Sequence, residues 1–170
     1  MTDLLVELGV PERCIQKTRS VEEKGRSFVL SLPADWQVRK VCVDGCLITG
    51  EGSKRVDALF HIHGTPRDST GLSRQAVVLV ELKGKDLGHA LQQVEATLQY
   101  LNRLPAWRRA EELRRSAFVV LSNGRQVPQY QQQRLRLLKQ YGVEVRWKSQ
   151  RMLASAEDVR LSESTRATPA

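Results

Sequence analysis

The pattern of apolar and polar positions predicts a central strand followed directly by an amphipathic helix. Residues 77–83 read V-V-L-V-E-L-K, and the first four are apolar on both faces, which is typical of a central strand in a covered sheet. After Gly84, apolar residues recur at helical spacing from Leu87 to Leu101, and Pro105 ends the predicted helix. This pair of elements is the best defined part of the pattern.

The flanking pattern predicts a mixed α/β fold around one sheet. The order is a helix, at least three strands, a helix, a strand, a helix and a strand. Leu135, Leu138 and Tyr141 share one side of the last predicted helix, which Gly142 follows. Further strands are predicted at 27–32, 55–62, 117–121 and 143–147, a β-rich stretch at 38–48 with a turn at Asp44-Gly45, further helices at 3–8 and 128–141, and helical structure over 12–24.

Length and composition predict a single domain without a membrane span. The chain has 170 residues, 41% hydrophobic and 27% charged, which is an ordinary globular composition. We expect one domain over residues 1–153 and a flexible tail over 154–170, where Ser, Thr and Pro accumulate. The absence of a signal-peptide pattern and the odd number of cysteines, three, favour a reducing cytoplasm, with Cys42 and Cys46 as buried thiols.

The charge of the chain favours a polyanionic partner. Lys and Arg number 27 against 19 Asp and Glu, giving a net charge of +8, and nucleic acid is the leading candidate. Trp107 and Trp147 lie among the arginines as candidate stacking platforms, although a solvated charged face is the common alternative. The candidate phosphate-binding residues are Lys85, Arg108, Arg109 and Arg114.

Three charged residues form the candidate chemistry. Glu81 and Lys83 lie on one face of the central strand, and Asp57 is a lone carboxylate among apolar residues of the preceding strand. If the two strands are neighbours, Asp57 and Glu81 converge on one hard cation, and Mg²⁺ typically takes one or two protein carboxylates. An adjacent lysine suits metal-assisted phosphodiester hydrolysis.

These residues resemble the PD-(D/E)XK nuclease superfamily. Lys54-Arg-Val-Asp57, then Val80-Glu-Leu-Lys83, then a helix with Gln92-Gln93, resemble its motif over residues 38–122, with Val56 in place of the motif's proline. The resemblance implies a restriction-endonuclease-like αβββαβ core, a mixed central sheet flanked by helices, here with an additional C-terminal helix and strand. It also implies an Mg²⁺-dependent endo- or exonuclease, with Mn²⁺ able to substitute.

The resemblance also assigns roles to individual residues. It implies that Asp57, Glu81 and the carbonyl of Leu82 ligate the metal and that Lys83 is the catalytic lysine. Gln93, which shares a helix flank with Thr97 and Tyr100, is favoured over Gln92 as a further catalytic residue. An acid upstream completes the site in many members, and the candidates here are Glu22, Glu23, Glu7, Glu12 and Asp44.

Two other readings stay open at this point. The first is a catalytically silent subunit that keeps the nuclease fold and binds nucleic acid or protein within a larger complex. The second is a regulatory domain whose Asp and Glu-x-Lys are accidental. Because the chain is too small for a separate recognition domain, a homodimer or a partner subunit would supply target recognition.

Overall fold

The computed structural model describes residues 3–50, 52, 54–64, 74–110, 112–123 and 130–161. The described part has an α/β architecture with a mixed sheet, as the sequence predicts. Its helices are α1 (Leu4–Glu7), α2 (Leu87–Asn102), α3 (Pro105–Arg109) and α4 (Gln131–Tyr141), with a 3₁₀ turn at Glu12–Cys14. Its strands are β1 (Ile15–Gln16), β2 (Ser20–Glu23), β3 (Arg26–Ser31), β4 (Gln37–Cys42), β5 (Ala58–Gly64), β6 (Arg74–Lys83), β7 (Arg114–Leu121), β8 (Glu144–Ser149) and β9 (Arg151–Ser155).

The main sheet has six strands in the order β1-β4-β5-β6-β7-β8. Strands β4, β5 and β6 form an antiparallel meander, while α2 carries the chain over to β7, which runs parallel to β6. A second sheet of three strands, β2-β3-β9, combines an antiparallel hairpin with a parallel pair. The main sheet is therefore antiparallel on the β5 side of β6 and parallel on the β7 side.

Two apolar cores cover the two faces of β6, which confirms the prediction of a covered central strand. Val77 and Leu79 belong to the core under the helices, together with Leu91 and Leu98 of α2. Val78 and Val80 belong to the core under the small sheet, together with Phe28 of β3. Since side chains alternate along a strand, Glu81 and Lys83 continue the helix-facing row.

Helix α2 begins directly beyond the end of β6. The Asp86 carboxylate accepts a hydrogen bond from the His89 N–H at 2.8 Å and so caps the helix. Its apolar stripe is buried from Leu87 to Leu101, as its helical spacing predicts. The N-terminal half of α2 consequently lies next to the charged end of β6.

The predicted helical structure over residues 12–24 is wrong. Apart from the short 3₁₀ turn, this segment forms β1 and β2, and β2 pairs with β3 in a tight hairpin. Lys24 and Gly25 both have positive φ, 49° and 77°, which is the turn geometry that matches the twist of a two-stranded hairpin. The strands are too short for their alternation to stand out in the sequence.

The predicted buried face of α4 is also wrong. Leu137 is buried, whereas Leu135 and Leu138 are exposed. Tyr141, four residues after Leu137, does pack against the core below the helices. In a helix rich in Gln and Arg, the leucine spacing alone did not identify the buried side.

The folded part of the chain extends beyond the predicted tail boundary at residue 154. Strand β9 pairs in parallel with β3, and Ala154, Val159 and Leu161 are buried beneath the small sheet. The segment 154–161 is thus part of the domain, and residues 162–170 lie outside the described residues.

The cysteine prediction is wrong as well. Cys14 and Cys46 form a disulfide with a Cα–Cα distance of 5.9 Å, and Cys42 is an exposed free thiol. Pairing of β1 with β4 brings together two cysteines that are 32 residues apart, which their spacing does not reveal. The argument from cysteine count for a reducing compartment therefore fails. Within the described residues, no helix has the length and apolarity needed to cross a membrane.

Candidate active site

The two carboxylates predicted as metal ligands meet where the ladder between β5 and β6 ends. The last paired residues are Ala58 and Val80, so the same register sets Asp57 opposite Glu81. The N–H of Asp57 donates to Glu81 Oε2 at 3.0 Å, and the N–H of Leu82 donates to Asp57 Oδ2 at 2.8 Å. Each carboxylate thus satisfies a backbone N–H of the other's segment in place of the lost ladder.

The buried position of this pair changes its protonation. Glu81 is 2% exposed, and burial, followed by the charge of Asp57, raises the pKa of Glu81 to about 8. Burial also raises the pKa of Asp57, against the opposing effect of the Leu82 N–H. The Lys83 charge lowers both pKa values but does not reverse either shift. At neutral pH, Glu81 is therefore mainly protonated and the pair carries less than two negative charges.

An open cleft of about 640 Å³ lies in front of Asp57. Lys83 lines this cleft, as does Gln93 from the facing turn of α2. The Lys83 ammonium forms no ion pair or hydrogen bond with any described residue, so its donors are available to a ligand. The structure thus gathers Asp57, Glu81, Lys83 and Gln93, the four predicted catalytic residues, around one site.

Helix α2 fixes the segment that carries Asp57. Gln93 Nε2 donates to the carbonyl of Arg55 at 3.0 Å, and the N–H of Val56 donates to Thr97 Oγ1 at 3.0 Å. Thr97 is fully buried, and its hydroxyl in turn donates to the carbonyl of Gln93 at 2.9 Å. The sequence shows Thr97 on the same flank as Gln93, but its backbone partner becomes visible only in three dimensions.

The two neighbouring glutamines of α2 have separate environments. Gln93 Oε1 is buried and has no hydrogen-bond partner among the described residues, although the same amide is anchored through Nε2. Gln92 is exposed and accepts a hydrogen bond from Lys54 Nζ at 2.7 Å. Gln93 is therefore the glutamine that lines the cleft together with Asp57, and its amide carries an oxygen without a described partner.

Of the candidate upstream acids, Glu23 is the one that acts on the pair. Its negative charge raises the pKa of both Asp57 and Glu81, although it lies at the end of β2 and not on a helix. Glu7 instead lies 4.0 Å from Arg109, and Asp44 pairs with Arg55 at 3.0 Å. Glu22 and Glu12 are exposed.

The donor set is small but suits a hard cation. The described residues contain no group of three or more His, Cys, Asp or Glu side chains that would hold a metal. Two carboxylates meet here, and Mg²⁺ requires few protein carboxylates because it keeps several waters. The role of the Leu82 carbonyl stays a prediction.

His61 of β5 has a structural role. Its Nδ1 lies 2.8 Å from Arg39 Nη2 and its Nε2 lies 2.9 Å from Gln75 Oε1, so both ring nitrogens have partners. Burial lowers the pKa of His61, which keeps the ring neutral. A neutral ring accepts from the arginine and donates to the glutamine.

The candidate phosphate-binding residues do not form one group. Lys85 is exposed between β6 and α2, two residues after Lys83, and is not among the residues that line the cleft. Arg114 lies level with Ala76, whereas Lys83 lies level with Leu121, so seven residues or about 23 Å of strand separate Arg114 from the site. Arg108 and Arg109 are on α3, at that same distant end. Whether these arginines bind nucleic acid stays a prediction, but they do not line the cleft.

Trp107 is not the stacking platform that the sequence suggests. It is 2% exposed, its Nε1 donates to Asn102 Oδ1 at 3.0 Å, and the Arg115 guanidinium lies 4.6 Å from its ring centroid. Arg115 also donates to the carbonyls of Trp107 and Ala110 and so holds α3 in place. Trp107 and Arg115 therefore have a structural role at the edge of the core under the helices.

Sequence reasoning missed one residue that shapes the cleft. Arg55 is 9% exposed, and its guanidinium donates to the carbonyls of Ile48 and Gly50 as well as pairing with Asp44. It thereby holds the loop after β4 beside Asp57. An arginine two residues before a candidate ligand is the sequence signal, but surface arginines give the same signal.

Comparison with the models of known protein families and with curated protein sequences finds no match to this chain.

Proposed function

We propose that the protein is a metal-dependent nuclease that hydrolyses phosphodiester bonds, with DNA as its substrate. The observation that carries the proposal is the pairing of Asp57 with Glu81 at the mouth of a cleft that also contains Lys83 and Gln93. The order α1, β4-β5-β6, α2, β7 supports a restriction-endonuclease-like αβββαβ core. The net charge of +8 supports a polyanionic substrate.

Asp57, Glu81 and the carbonyl of Leu82 are the groups that would hold Mg²⁺ or Mn²⁺. When bound, the ion would supply Lewis-acid activation of water and stabilisation of charge on the phosphate. One oxygen of each carboxylate, Asp57 Oδ1 and Glu81 Oε1, accepts no hydrogen bond from the described residues. Because Glu81 is mainly protonated near pH 7, occupation of the site would release its proton.

Lys83 has a distinct task in this proposal. Its ammonium lies on the same side of the sheet as Glu81 and lines the cleft. A fixed cation there would orient the scissile phosphate and offset the negative charge that grows as water attacks phosphorus and the P–O bond to the leaving oxygen breaks.

Conservative variants test the proposal without disturbing the fold. Asp57→Asn and Glu81→Gln keep an oxygen that can accept from Leu82 and Asp57, and Glu81 is already mainly neutral at pH 7. We expect each variant, and Lys83→Met, to lose about 10²–10³-fold in Mg²⁺-dependent cleavage of mixed single- and double-stranded DNA. Lys139→Met, on the exposed side of α4, is the matched lysine control.

Two outcomes would contradict the proposal. Equal cleavage by wild type and all three site variants would place the activity elsewhere. Salt-dependent DNA binding by the wild type without cleavage in Mg²⁺ or Mn²⁺ would instead favour a catalytically silent subunit with the same fold. Light scattering of the purified protein would show whether it is a homodimer.

A further inference from the structure

A second groove adjoins the catalytic cleft along α2. Its volume is about 290 Å³, and Lys54 lines both this groove and the cleft. The remaining lining residues are Ile48, Ala96, Gln99, Tyr100 and Arg103. The two depressions are therefore neighbouring parts of one surface, with the Lys54 amine at their junction.

The groove combines an apolar lining with two cations. Ile48, Ala96 and the ring of Tyr100 provide apolar surface, while Lys54 and Arg103 provide the charge. Arg103 is exposed and forms no ion pair with any described residue, and none of the described residues that line the groove is acidic. The acids Asp44 and Glu95 pair with Arg55 and Arg136, so the charges described within the groove are those of Lys54 and Arg103.

This combination suits an unstacked nucleotide. A base stacks on an aromatic ring without regard to sequence, and flanking cations bind the phosphates on either side. From Gln93 to Arg103 the helix rises about 15 Å, a length that spans more than one nucleotide of an unstacked strand. A strand with its scissile phosphate at Lys83 would therefore reach the groove with its adjoining nucleotides.

We infer that this groove binds an unpaired stretch of the substrate strand, with a base on Tyr100 and backbone phosphates at Lys54 and Arg103. The inference rests on the proposed nuclease function and adds a preference for DNA with a single-stranded stretch. A fully paired duplex keeps its bases stacked and cannot use the tyrosine.

Binding of a fluorescein-labelled single-stranded oligonucleotide to the full chain in EDTA tests the groove without any cleavage. Tyr100→Leu should weaken binding by about 5- to 150-fold, the range for loss of one base stack, while Tyr100→Phe should bind as the wild type does. Arg103→Ala should reduce the slope of log affinity against log salt by about 0.7, the value for one phosphate contact on a single strand. Lys139→Ala is the matched charge control.

The outcomes separate the groove from the catalytic proposal. If Tyr100→Leu and Arg103→Ala bind as tightly as Lys139→Ala, or if Tyr100→Phe loses as much as Tyr100→Leu, the inference is overturned. If the groove variants lose binding but the wild type never cleaves in Mg²⁺ or Mn²⁺, the groove stands and the nuclease proposal fails.

Discussion

A single buried carboxyl group dominates the electrostatics of the candidate site. Glu81 ends an otherwise apolar row of a central strand, and burial makes its charged form expensive. When no cation is present, Glu81 avoids this cost near pH 7 because it keeps its proton. A carboxyl group that keeps its proton near pH 7 until a cation binds is suited to a metal site, and its charged form is ill suited to stabilising the fold by itself.

The pKa of Glu81 predicts how stability without metal depends on pH. The folded state holds a proton up to about 8, whereas the unfolded chain releases it near 4.5, so the stability from this group is complete below 4.5 and is lost as pH rises through about 8. Thermal unfolding in EDTA over this range should show a falling melting temperature for the wild type. The melting temperature should fall less with pH for Glu81→Gln than for the wild type. An equal fall in both proteins would refute the raised pKa of Glu81.

Thr97 tests whether the backbone before Asp57 depends on α2. Thr97→Val keeps the side-chain volume but leaves the buried N–H of Val56 without a partner, and we expect a loss of about 1–3 kcal/mol in the free energy of unfolding. Because Asp57 follows Val56 directly, cleavage should fall as well. Thr97→Ser keeps the hydroxyl and should retain both the wild-type free energy of unfolding, measured in urea, and the wild-type cleavage. Loss of activity in the serine variant would argue against this positioning role.

At the scale of elements, what the sequence predicts depends on how long the repeating pattern is. The ten residues of β6 and the sixteen of α2 display clear periods, and strand alternation is sufficient to bring Glu81 and Lys83 to one face. The meeting of Asp57 with Glu81 then needed only the guess that β5 and β6 are neighbours. Strands β1 and β2, with two and four residues, show too little alternation to be separated from helix.

Contacts across the sheet are less visible in the sequence. Neither the disulfide, nor the parallel pairing of β9 with β3, nor the burial of Trp107 leaves a local pattern. The basic residues from Arg108 to Arg115 follow α2 closely in sequence. They nevertheless lie at the far end of the sheet, because a helix of sixteen residues carries the chain about 24 Å away from the site.

The disulfide joins the N-terminal segment to the loop beside the cleft. Cys14→Ser should lower the free energy of unfolding by about 3 to 4 kcal/mol, since the bond closes a loop of about 32 residues. Urea unfolding with and without a reductant measures the effect, and reductant should abolish the difference between the two proteins. Cys42→Ser, which removes the exposed free thiol, is the control and should unfold as the wild type does. Equal stability of both variants would show that the bond is absent in solution.

At the scale of the molecule, the candidate site lies at the rim between two cores. The helices cover one face of the main sheet and the small sheet covers the other, so the end of β6 is the place where charged groups reach solvent. Glu23, at the tip of the β2–β3 hairpin, approaches from the small sheet, whereas Gln93 approaches from the helices. Residues of both layers therefore act on the site, and a structural change in either layer would alter the site.

The parallel pairing of β3 with β9 has a consequence for synthesis on the ribosome. Residues 27–31 find their partners at 151–155, more than a hundred positions later, so the small sheet cannot close until nearly all of the described chain has emerged. Until then Phe28 and the face of β6 that carries Val78 and Val80 are not covered. The nascent chain therefore exposes an apolar surface of the kind that chaperones bind. The last strand of the described residues is thus the one that completes the small sheet.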